Sequence, residues 1–273
     1  MQKGSRLVKS EFPDGKNIVT EEKELSHFCT AHYHDFYEID VILDGNGESV
    51  CNGESFPIKR GMVTFMSPEG VHSYRLSEES KMKEINIQFT YDAIDAKYVS
   101  FFNLAEKNVA YVSEETLQKI YSLFLLLDGD TDMVGEKEYR SKLLECIILL
   151  FKDEFEQKEK RISDLPSSLQ RALIFMSSNF KDDPGMSRTA EHVFLNENYF
   201  CTMFRKKTGK SYKQYMRELK LDHARKLLLY TELPIARICY DSGYNSQSHF
   251  NREFLARFGF SPMKMRQEAK QKS

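Results

Sequence analysis

Residues 234–266 read PIARICYDSGYNSQSHFNREFLARFGFSPMKMR, and no other stretch limits the fold as much. Pro234 suits a helix start, Ile235 and Ile238 follow at i, i+3, and Gly243 permits a sharp turn with positive φ. Asn245 or Ser246 then caps a second helix, a short side-chain oxygen meeting the orphan N–H groups of its first turn. Phe250, Phe254 and Phe258 make one apolar stripe at i, i+4, i+8, which Gly259 ends. The other face carries Gln247, Ser248, His249, Asn251 and Arg252. Two short helices about a glycine turn, the second apolar on one side and hydrogen-bonding on the other, describe a helix-turn-helix able to read a DNA groove. An ordinary αα-hairpin with a solvated polar face fits the same pattern, so the rest of the chain must choose.

Charge favours the first alternative. The formal net charge of −2 hides a division: residues 167–273 hold 19 Lys and Arg against 10 Asp and Glu, while residues 1–166 hold 20 against 31. A basic third on an acidic body is the electrostatic footprint of a nucleic-acid module joined to a sensor or scaffold. A chain of 273 residues is long enough for two domains with cores of their own. No apolar run approaches a membrane span, and MQKGSRLVKSEF lacks the apolar core of a signal peptide, so a cytoplasmic protein without a membrane partner is expected. Cys29, Cys51, Cys146, Cys201 and Cys239 are odd in number and form no CxxC pair, which argues for reduced thiols and against disulfides or zinc fingers.

The preceding residues supply a second unit of the same kind. Leu169, Ala172, Leu173, Met176 and Phe180 predict an amphipathic helix, and Met186–Phe194 a short one. Asn196 caps a third with Tyr199, Phe200, Met203 and Phe204 inward, closing in Arg205, Lys206, Lys207, Thr208 and Gly209. Its outward positions are Asn198, Cys201 and Thr202, and the three cations at its end suit phosphates. Between the two units, 212–229 is apolar at helical intervals without Gly or Pro, a stiff spacer of roughly 27 Å. With the offsets of the flanking helices, the two units come close to one turn of B-DNA, about 34 Å.

From Phe28 to Phe89 short strands alternate with turns. His32–Leu43 predicts one strand, followed by the turn 44–47, Glu48–Cys51, the hairpin signal Asn52-Gly53, Ser55–Ile58, Met62–Met66 and Glu84–Phe89. Such spacing suggests a jelly roll or small barrel. Ser113 then opens a helix with Leu117, Ile120, Tyr121 and Phe124 on one stripe. A longer helix follows from Glu136 to about Glu156 and is apolar nearly all round at 143–151. One stripe, Leu143, Ile147, Leu150 and Phe151, can pack on the barrel, leaving Leu144 and Ile148 for a second subunit or for the domain's own interior; a homodimer is expected. The charged run 154–161 leads to a linker broken by Pro166.

Nearly position by position, the C-terminal third resembles the AraC/XylS family of transcription regulators. In the second unit the resemblance rests on Ile235, Ile238, Gly243, Tyr244, Ser246, Phe250, Arg252, Phe254, Gly259, Ser261, Pro262 and Arg266; in the first, on Ala190, Leu195, Phe200, Phe204, Arg205 and Gly209. The chain departs at Cys239 (usually Ala), His249 (Tyr), Leu255 (Lys) and Met265 (Tyr). In the family's register, Asn198, Cys201 and Thr202 face base edges, as do Gln247, Ser248, His249 and Arg252. Asn and Gln suit adenine, Arg suits guanine, and His249 can donate to base or phosphate.

The strands in turn look like a cupin domain. His32, His34, Glu38 and Gly45 fit its first motif, and Gly61, Pro68, Gly70 and His72 part of its second. Within the regulator family such a barrel implies a small-molecule effector pocket, which places His32, His34, Glu38, His72 and Tyr74 there, with a sugar or related metabolite as ligand. Residues two apart on a strand share a face, so His32, His34, Glu38 and His72 also form a potential ligand set for Zn, Fe, Mn or Ni. No metal or other cofactor is expected; hydrogen bonds to an organic ligand or among the residues themselves are the preferred use of the set.

The expectation is an α+β protein of two domains: a cupin-like effector barrel (1–112) with following dimerisation helices (113–160), a linker (161–168), and an all-α domain (169–273) with two helix-turn-helix motifs joined by a spacer helix. Its partners are double-stranded DNA, an effector, a second copy and, through the resemblance, RNA polymerase. Its function is that of an effector-responsive DNA-binding transcription regulator, an activator by resemblance, and not an enzyme. The competing reading is a metal-dependent cupin enzyme fused to a DNA-targeting module.

Overall fold

The computed structural model describes residues 6–8, 12–13, 16–26, 28–68, 70–77, 80–103, 108–129, 134–155 and 166–272. Contacts divide the chain into two units, one of residues 7–164 and one containing 165–273. In the first, the strands are β1 (Arg6–Val8), β2 (Ile18–Leu25), β3 (Cys29–His34), β4 (Tyr37–Asp44), β5 (Gly47–Cys51), β6 (Glu54–Ile58), β7 (Met62–Met66), β8 (His72–Leu76), β9 (Met82–Phe89) and β10 (Val109–Tyr111). Helix α1 (Ala96–Asn103) sits between the last two. They form two five-stranded sheets, ordered β1-β3-β8-β5-β6 and β10-β7-β4-β9-β2.

The expected single strand 32–43 is therefore two. The chain bends at Asp35–Phe36 and passes from one sheet to the other, so Glu38 does not continue the face of His32 and His34 but looks across at them from the opposite sheet. Strands β4 and β9 pair in register, Glu38 with Gln88 and Asp40 with Asn86, and their alternate residues divide two environments. Glu38 and Asp40 point toward the other sheet, where they reach His72 and Tyr74. Ile39, Val41, Ile85, Ile87 and Phe89 point away and are also fully buried.

Helix α2 (Glu114–Asp128) runs along β2 outside that sheet: Tyr121 donates to Glu22 at 2.9 Å and Thr20 to Asp128 at 2.6 Å. Its cap is the expected Ser113, which accepts from the Thr116 N–H. Helix α3 (Glu136–Phe151) packs on α2 and buries Leu144, Ile147, Ile148 and Phe151. The assignment of its faces thus changes. Leu144 and Ile148 are enclosed by their own chain, and Leu149, with Leu125 and Leu126 of α2, is about half exposed instead. Most of the charged run and of the expected linker, residues 156–165, lies outside the described residues.

The second unit contains α4 (Ser167–Ser178), α5 (Gly185–His192), α6 (Glu197–Thr208), α7 (Tyr212–Tyr230), α8 (Ile235–Asp241), α9 (Gln247–Phe258) and α10 (Pro262–Lys272). Leu169, Met176, Phe180, Phe200, Phe204 and Met216 belong to one core around α4–α6 and the start of α7. At the other end, Leu227, Leu228, Ile238, Cys239, Phe250 and Phe254 are buried. The 19 residues of α7 give it a length of about 28 Å, uninterrupted.

Candidate functional site

Each half of the second unit presents one helix with a buried aromatic stripe and an open polar face. In α6, Asn196 caps the start by accepting from the Asn198 N–H at 3.0 Å, and Phe200 and Phe204 anchor the helix inward. Asn198, Cys201, Thr202, Arg205, Lys206 and Lys207 are exposed. In α9 the cap is Ser246 rather than Asn245, accepting from the His249 N–H, with Phe250 and Phe254 inward. Gln247, Ser248, His249 and Arg252 are exposed. Among the described residues, Arg205, Lys206, Lys207 and Arg252 form no ion pair, whereas Arg257 is held by Asp222 at 2.8 Å. His249 is less free than its neighbours, lying 3.3 Å from Glu253, which also accepts from the Tyr244 hydroxyl at 2.8 Å.

The turn before α9 is fixed by its surroundings. Gly243 has φ of +74°, and a Cβ there would stand 2.6 Å from the Lys181 carbonyl oxygen, in the loop between α4 and α5. Lys220 of α7 donates to the Gly243 carbonyl at 3.2 Å and lies 4.0 Å from Asp183 of the same loop. The corresponding turn before α6 has no glycine. There Phe194 takes φ of +57°, a conformation strained for a bulky L-residue, with its side chain 90% exposed.

Within the first unit a polar cluster lies between the sheets. His34 and His72 each set Nε2 3.1 Å from the same Glu38 oxygen, Oε2. The His34 Nδ1–H donates to the Phe36 carbonyl at 2.8 Å. Asn86 donates to Glu38 Oε1 at 2.8 Å and to Asp40 Oδ1 at 2.6 Å, while Thr64 and Tyr74 donate to the other Asp40 oxygen. Burial alone would raise the Glu38 carboxyl, but His34 and His72 reverse this and hold it well below the usual range. Asp40 is raised by burial and by Glu38, and Glu84 well above its usual value by burial and by Asp40, although Lys23 lies 3.3 Å from Glu84. His32 stands apart. Its ring lies 4.1 Å from that of His72, its Nδ1 is taken by the Thr30 carbonyl at 3.1 Å, and burial and then His72 push its pKa down to about 3.

Comparison with known proteins agrees with both halves. The family described as AraC-like ligand binding domain matches residues 18–132, and that described as helix-turn-helix domain matches 189–268. The chain belongs to the AraC family of transcription regulators. Among curated relatives of this AraC-family chain is the HTH-type transcriptional activator RhaS of Escherichia coli O81 (strain ED1a), 24% identical over 94% of each chain. Solved structures include ToxT from Vibrio cholerae, 13% identical over 92% of this chain and 98% of that one, with a TM-score of 0.39. Another is the C-terminal domain of AraT, a response regulator from Geobacillus stearothermophilus, 28% identical over 38% of this chain and 88% of that one, with a TM-score of 0.37.

Of the expected pocket residues in this AraC-family protein, His34, Glu38 and His72 come together, Tyr74 joins through Asp40, and His32 only borders the group. Sequence reasoning missed Lys23, Asp40, Glu84 and Asn86, which complete the cluster. The signal was present as alternation: Glu38-Ile39-Asp40-Val41 and Glu84-Ile85-Asn86-Ile87 run in step on paired strands. Tyr199, expected inward on α6, is instead 60% exposed.

Proposed function

We propose that this AraC-family regulator is a transcriptional activator that occupies two successive major grooves with α6 and α9 and responds to a small polar molecule bound between the sheets of the first unit. The observation that carries the reading is the pair of exposed polar faces flanking one uninterrupted helix. With about 28 Å in α7 and the offsets of its neighbours, they suit the roughly 34 Å pitch of B-DNA. Asn198, Cys201, Thr202, Gln247, Ser248 and Arg252 read base edges; Arg205, Lys206 and Lys207 neutralise phosphates. His249, tethered to Glu253, contributes to DNA only by leaving that partner. The effector meets His32, His34, Glu38, His72 and Tyr74. A sugar or related metabolite is the class we favour, since a polyol matches a lining of carboxyl, amide and hydroxyl groups.

On this reading the working form is a cytoplasmic homodimer joined through the outer face of α2 and α3, where Leu125, Leu126 and Leu149 are exposed, and it activates by touching RNA polymerase. Supporting the activator role is the relationship to RhaS, itself named a transcriptional activator.

The test is selection of bound sites from random duplexes, followed by two variants on the best site. Arg252→Ala should lose affinity at particular base pairs, by about 1–3 kcal/mol. Lys206→Ala should weaken all duplexes alike and flatten the salt dependence by about one counterion. Equal, sequence-blind losses from both would refute the roles given to the two helices.

A further inference from the structure

We propose that Glu253 competes with DNA for His249, so that α9 binds a duplex less tightly than its exposed face would otherwise allow. This deepens, and rests on, the assignment of α9 to a major groove. Nε2 of His249 lies 3.3 Å from Glu253 Oε1, one turn further along the same helix. Counted from the caps Asn196 and Ser246, the counterparts of His249 and Glu253 in α6 are Tyr199 and Met203. That helix has no carboxylate at this place, and its Tyr199 is exposed. The restraint therefore belongs to the second half of the domain.

The carboxylate is anchored and the imidazole is not. Glu253 Oε2 accepts from the Tyr244 hydroxyl at 2.8 Å, and Tyr244 is itself buried, its ring 5.3 Å from that of Phe250. Burial, then the bond to Glu253, push the Tyr244 pKa up, so the hydroxyl keeps the proton it donates. Arg217 of α7 lies 3.8 Å from Oε1. Glu253 is thus held by the turn before α9 and by a second helix, with its side chain 21% exposed against 49% for His249. A carboxylate oxygen offers an imidazole N–H what a phosphate oxygen, or N7 or O6 of guanine, offers. To reach the duplex His249 must give up the first to gain the second, and Glu253 then stands beside a polyanion without it. A pair this exposed is weak, so the carboxylate lowers affinity without blocking it. In a dimer, lower affinity per chain makes occupancy depend more on two chains binding together.

The full chain, Glu253→Gln, His249→Ala and the double variant are titrated with a duplex selected from random sequence, at one salt concentration, by fluorescence anisotropy. Glu253→Gln keeps the shape and an oxygen for the Tyr244 hydroxyl while removing the charge. It should bind the duplex about fivefold more tightly, and the gain should shrink below about twofold when His249 is already Ala. A gain that survives undiminished in the His249→Ala background overturns the competition, because it reports only the loss of a negative charge near DNA. Unchanged or weaker binding overturns it as well, the latter meaning that Glu253 serves to seat Tyr244. Should Glu253→Gln fail to fold by circular dichroism, Glu253→Asp draws the charge back by one methylene; a gain is again expected, and its absence overturns the competition. A selected duplex whose affinity is insensitive to both Arg252→Ala and His249→Ala overturns the groove assignment of α9 and this inference with it. Sensitivity to both, with no gain in Glu253→Gln, overturns the competition alone.

Discussion

Gly243→Ala separates two reasons for a glycine at a helix-turn-helix corner. The backbone there has φ of +74°, which costs an L-residue about 1 kcal/mol or somewhat more. Gly259, at the end of α9, has nearly the same φ, +76°, but a Cβ there would meet nothing within 4 Å. At Gly243 the new methyl would stand 2.6 Å from the Lys181 carbonyl oxygen and 2.9 Å from its Cα, both backbone atoms with no rotamer to yield. Overpacking of that kind adds about 1–3 kcal/mol. Gly259→Ala should therefore cost about 1 kcal/mol and Gly243→Ala about 3. Urea unfolding followed at 222 nm reports the helical unit. With a slope of about 1–3 kcal/mol per molar urea, the midpoint should fall by about 1–3 M for Gly243→Ala and about a third of that for Gly259→Ala. Affinity for the best duplex should fall only in the first, since α9 loses its seating while its polar face is untouched. Equal midpoints in the two variants would refute the contact between the second turn and the Lys181 loop.

His223 supplies a pH test. It is fully buried beside Phe180, and burial, then Lys181 and Lys226, hold its pKa well below the ordinary value. The folded state therefore binds fewer protons than the unfolded one once pH drops below about 6.5, and stability is lost as pH falls, by up to about 1.4 kcal/mol per unit. In His223→Leu this loss is removed, so the variant should gain on the wild type between pH 6 and 5 in urea melts; a pH-independent gap would mean that His223 takes up its proton in the folded state. At the outer face of α3, Leu149→Arg should shift sedimentation from dimer toward monomer without lowering the melting temperature, because Leu149 is half exposed in the single chain. Unchanged sedimentation would remove that face from the dimer.

How far the sequence could be read depended on whether local chemistry or burial decided the outcome. Helix caps and stripes were legible because they act within one turn: Ser113, Asn196, Phe250 and Phe254 all stand where spacing put them. The break at Asp35–Phe36 was not, since neither a glycine nor a proline marks it and both flanks favour extended backbone. Strand β2 was hidden by its run of Glu and Lys, whose partners Lys83 and Glu84 come from a strand some sixty residues on. Helix α10 was missed because it is polar almost throughout and is held through α7. The inner cluster was half legible. Alternation usually separates core from solvent, but here both faces of β4 are covered, and Asp40 and Glu84, which a charged side chain would place at the surface, are buried.

The two helices proposed to read DNA, α6 and α9, are tied by more than the spacer. Gly243 sits against the Lys181 carbonyl, and Lys220, on the middle of α7, reaches both the Gly243 carbonyl and Asp183. The second turn is thus braced on a loop of the first half at points independent of the α7 backbone. A single continuous helix with no Gly or Pro resists bending, and these braces resist rotation of α8–α9 about its end. One chain therefore presents one spacing between its two polar faces. On the proposed reading as an effector-responsive dimer, the effector alters the choice of DNA sites more readily by changing how the two chains are paired than by moving α9 against α6, because the former leaves a packed core undisturbed and the latter must break it.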